Sequence, residues 1–473
     1  MVFKRFFNLP NTVTIFFTVL FVANILLLIF GGKISYEIED VFRINTFTVL
    51  IWSVVTFFGA VISRYASSYL TGFKFHTKFM LMCTGFTLSV MVFIMSNHVI
   101  SFLGSWLVMG IFMAKLIGVD SRWGEAKEAS KVAQRFFFTG SAFLSTGVLL
   151  LSFHSNQLTI DGIIAQVNTL PYYVTLIASI FIILAALVQS AIYPFHRWLL
   201  SAMTSPTPAS ALMHAGFVNG SGILLALFAT LLFSSNTLSL LFIIGGLTAI
   251  VAQFTKLLQV NVKQKLACST IAQMGFMIMQ CGLGFFNAAI AHLILHGFYK
   301  AYLFLSSGEE IKQSIPQKPL ELKIKPLQAV LVLIFGALGA LLFVTLTGKG
   351  ASLDNSIFLT LIVSITVGQA TYNIVKEKSL STLQKLVVPP VLFIAGIGVY
   401  ALFYNGVTLL MADLPMAVVP LQITTVEIIF GIIFLVGFFI MKLGFYRNIP
   451  WLYVKLLNVS QPYKKTILKY KNS

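Results

Sequence analysis

Charge is scarce in this chain, and acidic charge is scarcest. Of 473 residues only 10% are charged, and 32 basic residues face 14 acidic ones. Soluble domains carry about a quarter charged residues. With 58% hydrophobic residues and a mean hydropathy of +0.92, a water-soluble globule is excluded. Cysteine is sparse too: Cys83, Cys268 and Cys281 each fall in an apolar segment, which signals neither a disulfide framework nor a zinc site. No nucleotide-binding glycine loop, hydrolase motif or paired carboxylate occurs, so no site for covalent chemistry, metal or cofactor is offered. The net charge of +18 is spread over loops; it speaks for orientation in a membrane and not for nucleic acid.

What is abundant is apolar sequence in long runs, which makes this an all-α polytopic membrane protein. A spanning helix needs about 20 apolar residues, and about fourteen segments qualify. They lie near 12–31, 47–70, 77–96, 98–118, 134–153, 173–195, 207–233, 236–258, 265–285, 287–307, 327–348, 355–375, 386–405 and 424–441. The first, Val13–Phe30, runs into Gly31-Gly32-Lys33 without a small-residue cleavage site and reads as a retained helix. Residues 1–441 then form one transmembrane domain. The basic tail 442–473 either lies on anionic lipid or is an ordinary disordered end.

Alternate loops carry basic residues: Lys74 and Lys78; Arg122, Lys127, Lys131 and Arg135; Arg197; Lys263 and Lys265; Lys312, Lys318, Lys323 and Lys325; Lys376, Lys378 and Lys385. The loops 154–172, 234–235 and 406–423 have none. The positive-inside rule places both termini in the cytoplasm of a cell-membrane protein. The cytoplasmic loops 115–135 and 308–326 are the natural docking sites for a partner.

Against this pattern, the stretch from Gln189 to Glu310 puts ionisable groups inside apolar segments. Such a group at membrane depth costs about 2.5–3.5 kcal/mol on insertion scales and is a functional candidate by default. His292, His296 and Lys300 follow i, i+4, i+8 spacing and lie along one helix face, about 6 Å per step. Imidazoles both donate and accept protons near neutral pH, so a row of them can pass protons; the competing reading is a polar face packed on other polar groups. His214 follows Pro206-Thr207-Pro208, prolines suited to a first helical turn. Pro194 sits inside the preceding apolar segment, where it breaks a helix; such breaks often mark ion sites, and otherwise are plain kinks. Lys256 and Lys263 either join the row or snorkel to the surface. Lys265, Lys115 and Arg64 read as snorkelling, Glu427 as solvated.

These motifs resemble the proton-conducting membrane transporter superfamily, which includes the antiporter-like subunits of NADH–quinone oxidoreductase and of multisubunit sodium/proton antiporters. The residues that carry the resemblance are Pro206-Thr-Pro-Ala-Ser-Ala-Leu-Met-His214, Lys263-Gln-Lys-Leu-Ala-Cys-Ser-Thr-Ile-Ala-Gln-Met-Gly275 and His292-Leu-Ile-Leu-His296-Gly-Phe-Tyr-Lys300-Ala301, with weaker echoes at Ser68-Tyr69-Leu70 and Ser96-Asn97-His98. The match is good over about 60–310, the antiporter-like core. The resemblance implies an antiporter-like fold with helices broken near mid-membrane. It also implies an ion path through His214, Lys263, His292, His296 and Lys300, with Lys256 beside it. Two positions depart from the family: Leu107 follows Trp106 where a Glu is usual, and Gln189 stands where a Lys is usual. In the family that Glu and Lys form a coupled pair.

The run from Gln273 to Gly284 and His296-Gly-Phe-Tyr-Lys-Ala301 further resemble the membrane subunit of two-component inorganic-carbon accumulation (DAB) systems. That resemblance implies a cytoplasmic, peripheral, zinc-containing partner similar to a β-carbonic anhydrase. Proton or sodium flow through this chain would drive carbon dioxide hydration to bicarbonate there, with no cofactor on this chain. Two readings compete: a subunit of a sodium/proton antiporter or of a NADH–quinone oxidoreductase, and a membrane anchor without transport. The intact His-His-Lys row argues against the last.

Overall fold

The computed structural model describes residues 9–32, 34–307, 326–350, 354–377, 379–416, 419, 421–443 and 449–467. The expected docking loop at 308–326 lies almost wholly outside them. Long helices follow one another from Leu9–Phe30 to Thr425–Leu443, and among the described residues twelve are long and apolar enough to cross a membrane. The chain is a multi-pass membrane protein. Of the fourteen expected spans, Val262–Gly282 has the length but carries Lys263, Gln264, Lys265 and Gln273, and the last lies on the 19-residue helix Thr425–Leu443, apolar over Thr425–Gly437.

Burial grades from the middle outward. The segment Thr207–Leu227 is 89% buried, whereas Leu9–Phe30 and Thr382–Leu410 are 17% buried. An outer helix can be apolar all round because lipid, unlike water, accepts that surface. Inside, close packing needs small residues, since lipid supplies no hydrophobic drive between helices. A Cβ on Gly245 would lie 2.5 Å from the Met279 amide nitrogen, and one on Gly275 would lie 2.7 Å from that of Ala249. The Leu238–Leu257 and Val262–Gly282 helices therefore touch backbone to backbone, which gives Gly275 of the sequence motif a packing role.

The connection at 32–46 holds a small hairpin, Ser35–Ile38 antiparallel to Phe42–Asn45. Arg43 pairs with Asp161, and the Val41 carbonyl accepts from the amides of Asn97 and His98 at 2.8 and 3.1 Å. The hairpin thereby ties three helix ends together at one membrane face.

Two interruptions shape the centre. The Tyr172–Gln189 helix stops at Gln189, and residues 190–196 are non-helical, with Ala191 left-handed at φ 54°. Pro194 lies in this turn: the helix is broken here, as the sequence reading of Pro194 has it, but the break begins at Ser190, before the proline is reached. In the second interruption, Thr207–Leu212 passes directly into a π-turn, Met213–Phe217.

The described part of the tail is ordered against the protein. Helix Pro450–Val459 buries Leu456 beside Phe254. The Tyr463 amide donates to Ser201 Oγ at 3.0 Å, and the Arg197 guanidinium lies 6.0 Å from the Tyr463 ring centroid. Trp451 and Val454 on the same helix stay exposed, an amphipathic arrangement suited to a membrane surface. Glu427, expected to be solvated, is 3% exposed; its Oε2 accepts from the Thr424 amide at 2.9 Å, the carboxylate satisfying a helix N-terminus.

Candidate ion-conducting site

The π-turn is where the site begins. A π-turn inserts an extra residue, so its carbonyls fall out of step with the α-helical ladder. Side chains collect them. Gln189 Nε2 donates to the Phe217 carbonyl at 3.1 Å, and Ser190 Oγ donates to that of Val218 at 2.5 Å. Asn219 Nδ2 donates to the Ala215 carbonyl at 2.8 Å and to the Leu293 carbonyl, on the neighbouring helix, at 3.2 Å. Held this way, His214 points into the interior. It is fully buried, its ring stacks on Phe304 at 4.4 Å and 15°, and neither ring nitrogen meets a protein partner.

The helix Phe286–Leu305 brings up the row. The rings of His292 and His296 lie 6.2 Å apart and 12° from parallel. Both nitrogens of His296 are without a protein partner, and His296 is 6% exposed. Lys300 is fully buried and its Nζ donates to the Leu266 carbonyl at 3.1 Å. Lys263 does not snorkel. Its amide is held by Asn261 Oδ1 at 2.9 Å, and its Nζ turns inward to donate to the Ser205 carbonyl at 2.8 Å, just before the Pro206 turn. Lys265 is exposed, as its snorkelling reading requires.

These groups form one connected set. His214 is within Coulombic reach of Lys263 and Lys300; His296 of Lys300, His292 and His214; Lys300 of the half-buried Lys256. Among the described residues, the ion pairs Arg43–Asp161, Arg122–Asp120 and Lys131–Glu128 all lie elsewhere. The Lys263 and Lys300 ammonium groups are thus held by backbone carbonyls and not by carboxylates. Permanent charges would be costly there; groups that take up and release a proton suit the setting.

Gly220 lies between the two substituted positions: a Cβ there would sit 3.5 Å from Gln189 Nε2 and 3.8 Å from the ring of Trp106, the residue before Leu107. Gln189 is 3% exposed, and Leu107 is half-buried. Sequence reasoning missed Ser190, Ser205 and Asn219. The polar run Asn219-Gly220-Ser221-Gly222 within an apolar segment was the available signal.

The arrangement matches known proteins. Residues 96–322 match the family described as NADH:quinone oxidoreductase/Mrp antiporter, transmembrane. A protein of Bacillus anthracis named probable inorganic carbon transporter subunit DabB is 31% identical over 320 residues, covering 67% of this chain and 63% of its own length. The similarly named protein of Hydrogenovibrio crunogenus is 32% identical over 282 residues, covering 58% and 54%. NADH-quinone oxidoreductase subunit L of Rickettsia typhi is 30% identical over 59% of this chain and 44% of its own. The chain thus matches between 44% and 63% of the length of these relatives. In fold it is similar to a chain of the archaeal membrane-bound sulfane sulfur reductase, with TM-score 0.60 and 18% identity over 95% of this chain and 91% of that one. A chain of the Mrp complex from Dietzia sp. DQ12-45-1b gives TM-score 0.58 and 19% identity, over 94% and 49%. The His214 turn and the His292–Lys300 row both fall inside the region that matches the NADH:quinone oxidoreductase/Mrp antiporter transmembrane family of antiporter-like membrane subunits.

Proposed function

We propose that this chain is the ion-translocating membrane subunit of a two-subunit inorganic-carbon accumulation complex in the cell membrane. Proton or sodium influx through Lys263, His214, Lys300, His296 and His292, with Lys256 at the margin, powers carbon dioxide hydration on a cytoplasmic, zinc-containing, carbonic-anhydrase-like partner. The observation that carries the transport half is the set of buried imidazoles and ammonium groups, none paired with a carboxylate among the described residues. The carbon half is supported by similarity to proteins named inorganic carbon transporter subunits. Leu107 and Gln189, in place of the ionisable pair usual in the antiporter-like subunits, weigh against the sodium/proton antiporter and NADH–quinone oxidoreductase readings.

The test is growth of a carbonic-anhydrase-deficient host in air, with this chain expressed alone, with its co-purifying partner, and with a zinc-site variant of that partner. Rescue only by the intact pair is expected, with zinc in the co-purified complex at the partner. Rescue of a sodium-sensitive host by this chain within a larger antiporter assembly, without carbon rescue, would overturn the reading.

A further inference from the structure

A cavity of about 420 Å³ lies beside the row. The Val262–Gly282 and Phe286–Leu305 helices wall one side, and the Ile357–Lys376 and Thr382–Leu410 helices the other. Its size falls within that of small-molecule sites. Leu392 lines it and is 55% exposed on an outer helix, so the cavity opens towards lipid. The wall is mostly apolar, with Phe276 and Phe393 among its residues.

Among the polar residues of that wall, Gln280, Thr371 and His292 each have an atom without a protein partner, namely Oε1, Oγ and Nε2. Gln280 and Thr371 are each 1% exposed. Thr366, on the same helix as Thr371, turns its hydroxyl back to the Ile362 carbonyl at 2.8 Å, the usual way a helical threonine is satisfied in lipid. Thr371 does not. A buried polar atom without a partner is destabilising, and three on the wall of one apolar cavity call for one occupant.

We propose that this cavity binds a single-chain amphiphile from the bilayer whose head carries a hydroxyl. The amide oxygen of Gln280 only accepts, so the head must donate. The Thr371 hydroxyl and the His292 ring donate or accept according to rotamer and tautomer. An ester, ketone or bare alkane would leave Gln280 unpaired. The chain lies among the phenylalanines, and the head covers the His292 end of the row. This proposal goes beyond the transport reading, because binding is independent of which ion moves.

The experiment uses the full chain in nanodiscs with a diazirine-bearing hexadecanol as photoprobe. Labelling is expected on peptides from 357–376 and 382–410, competed by hexadecanol and not by hexadecane or methyl palmitate. A Cβ on Gly396, which lines the cavity, meets nothing within 4 Å, so Gly396→Phe fills the space without disturbing the helix and is expected to abolish specific labelling. Gln280→Leu is expected to weaken competition about tenfold, the loss of one good hydrogen bond. Equal labelling of wild type and Gly396→Phe overturns the proposal, as does equal competition by all three compounds, the result for a water-filled cavity or a lipid-covered wall. Carbon-dependent growth, scored separately, reports on the transport reading alone.

Discussion

Gln189 and Phe217, 28 residues apart, are joined by one hydrogen bond of 3.1 Å from the side-chain amide to the backbone carbonyl. A position that carries lysine in the antiporter-like pattern here serves as a tie for the turn that aims His214. Asn219 makes the matching tie from the other side, to Ala215 and Leu293. Asn219→Ala leaves both carbonyls without that donor in a dry interior, a loss of about 1–3 kcal/mol. The purified protein is expected to melt several degrees lower and transport to fall with it; an unchanged melting temperature would remove Asn219 from the support of the turn.

The row itself is expected to behave differently. His292→Ala, His296→Ala and Lys263→Ala each abolish carbon-dependent growth rescue while membrane abundance stays near that of wild type. The reason is that His292 and His296 make few polar contacts to lose: both nitrogens of His296 and Nε2 of His292 have no protein partner. Normal rescue in all three variants, at normal abundance, would take these residues out of the path.

Most of the core was legible in the sequence because membrane burial writes strong signals. A row of His292, His296 and Lys300 in an apolar run can only be a costly accident or a device, and four-residue spacing fixes their common face. Lys263 was ambiguous, since the same spacing serves a snorkelling lysine; only the position of the Ser205 carbonyl, set by a distant turn, decides it. The π-turn was not legible, because nothing in Met213–Phe217 differs by composition from α-helix. Pro194 stands in the helix break but does not show where it starts, which is at Ser190 and the left-handed Ala191.

Topology gives an independent prediction. The alternation of basic loops with loops free of lysine and arginine puts both termini in the cytoplasm. Reporter fusions at residue 1 and residue 473 are expected to read cytoplasmic. An external signal at either end would reverse the face on which the partner docks.

The docked tail brings a pH prediction. His196, in the turn before Arg197, donates from Nε2 to the Val459 carbonyl at 2.8 Å. Burial pushes its imidazole down to about 4. The folded form therefore stays neutral while the released form protonates below the ordinary value of 6.5. The stability of the docked state is fully present above 6.5 and is lost as pH falls from there towards 4, by up to about 1.4 kcal/mol per unit. Proteolysis within 449–467 is expected to accelerate over that window in wild type and to stay flat in His196→Gln, whose amide still donates and does not titrate. The same acceleration in both proteins would assign the effect to other groups.

The substituted pair offers the sharpest choice between the carbon and antiporter readings. Gln189 is almost fully buried, with Gly220 between its amide and Trp106, the neighbour of Leu107. Gln189→Lys alone keeps a donor near the Phe217 carbonyl but adds a buried charge, at a cost of several kcal/mol. Leu107→Glu alone adds an acid at a half-buried site built for an aliphatic side chain. Each single variant is expected to lower both abundance and transport. Together the two charges can pair across the helices, which removes most of the burial cost. The pair then sits beside the turn that holds His214, where a fixed carboxylate retains cations that the wild-type interior releases. Abundance is therefore expected to recover in the double variant more than carbon-dependent growth does. Growth better than wild type in the double variant would mean that the pair was lost by drift from a working antiporter, and the antiporter reading would then take first place.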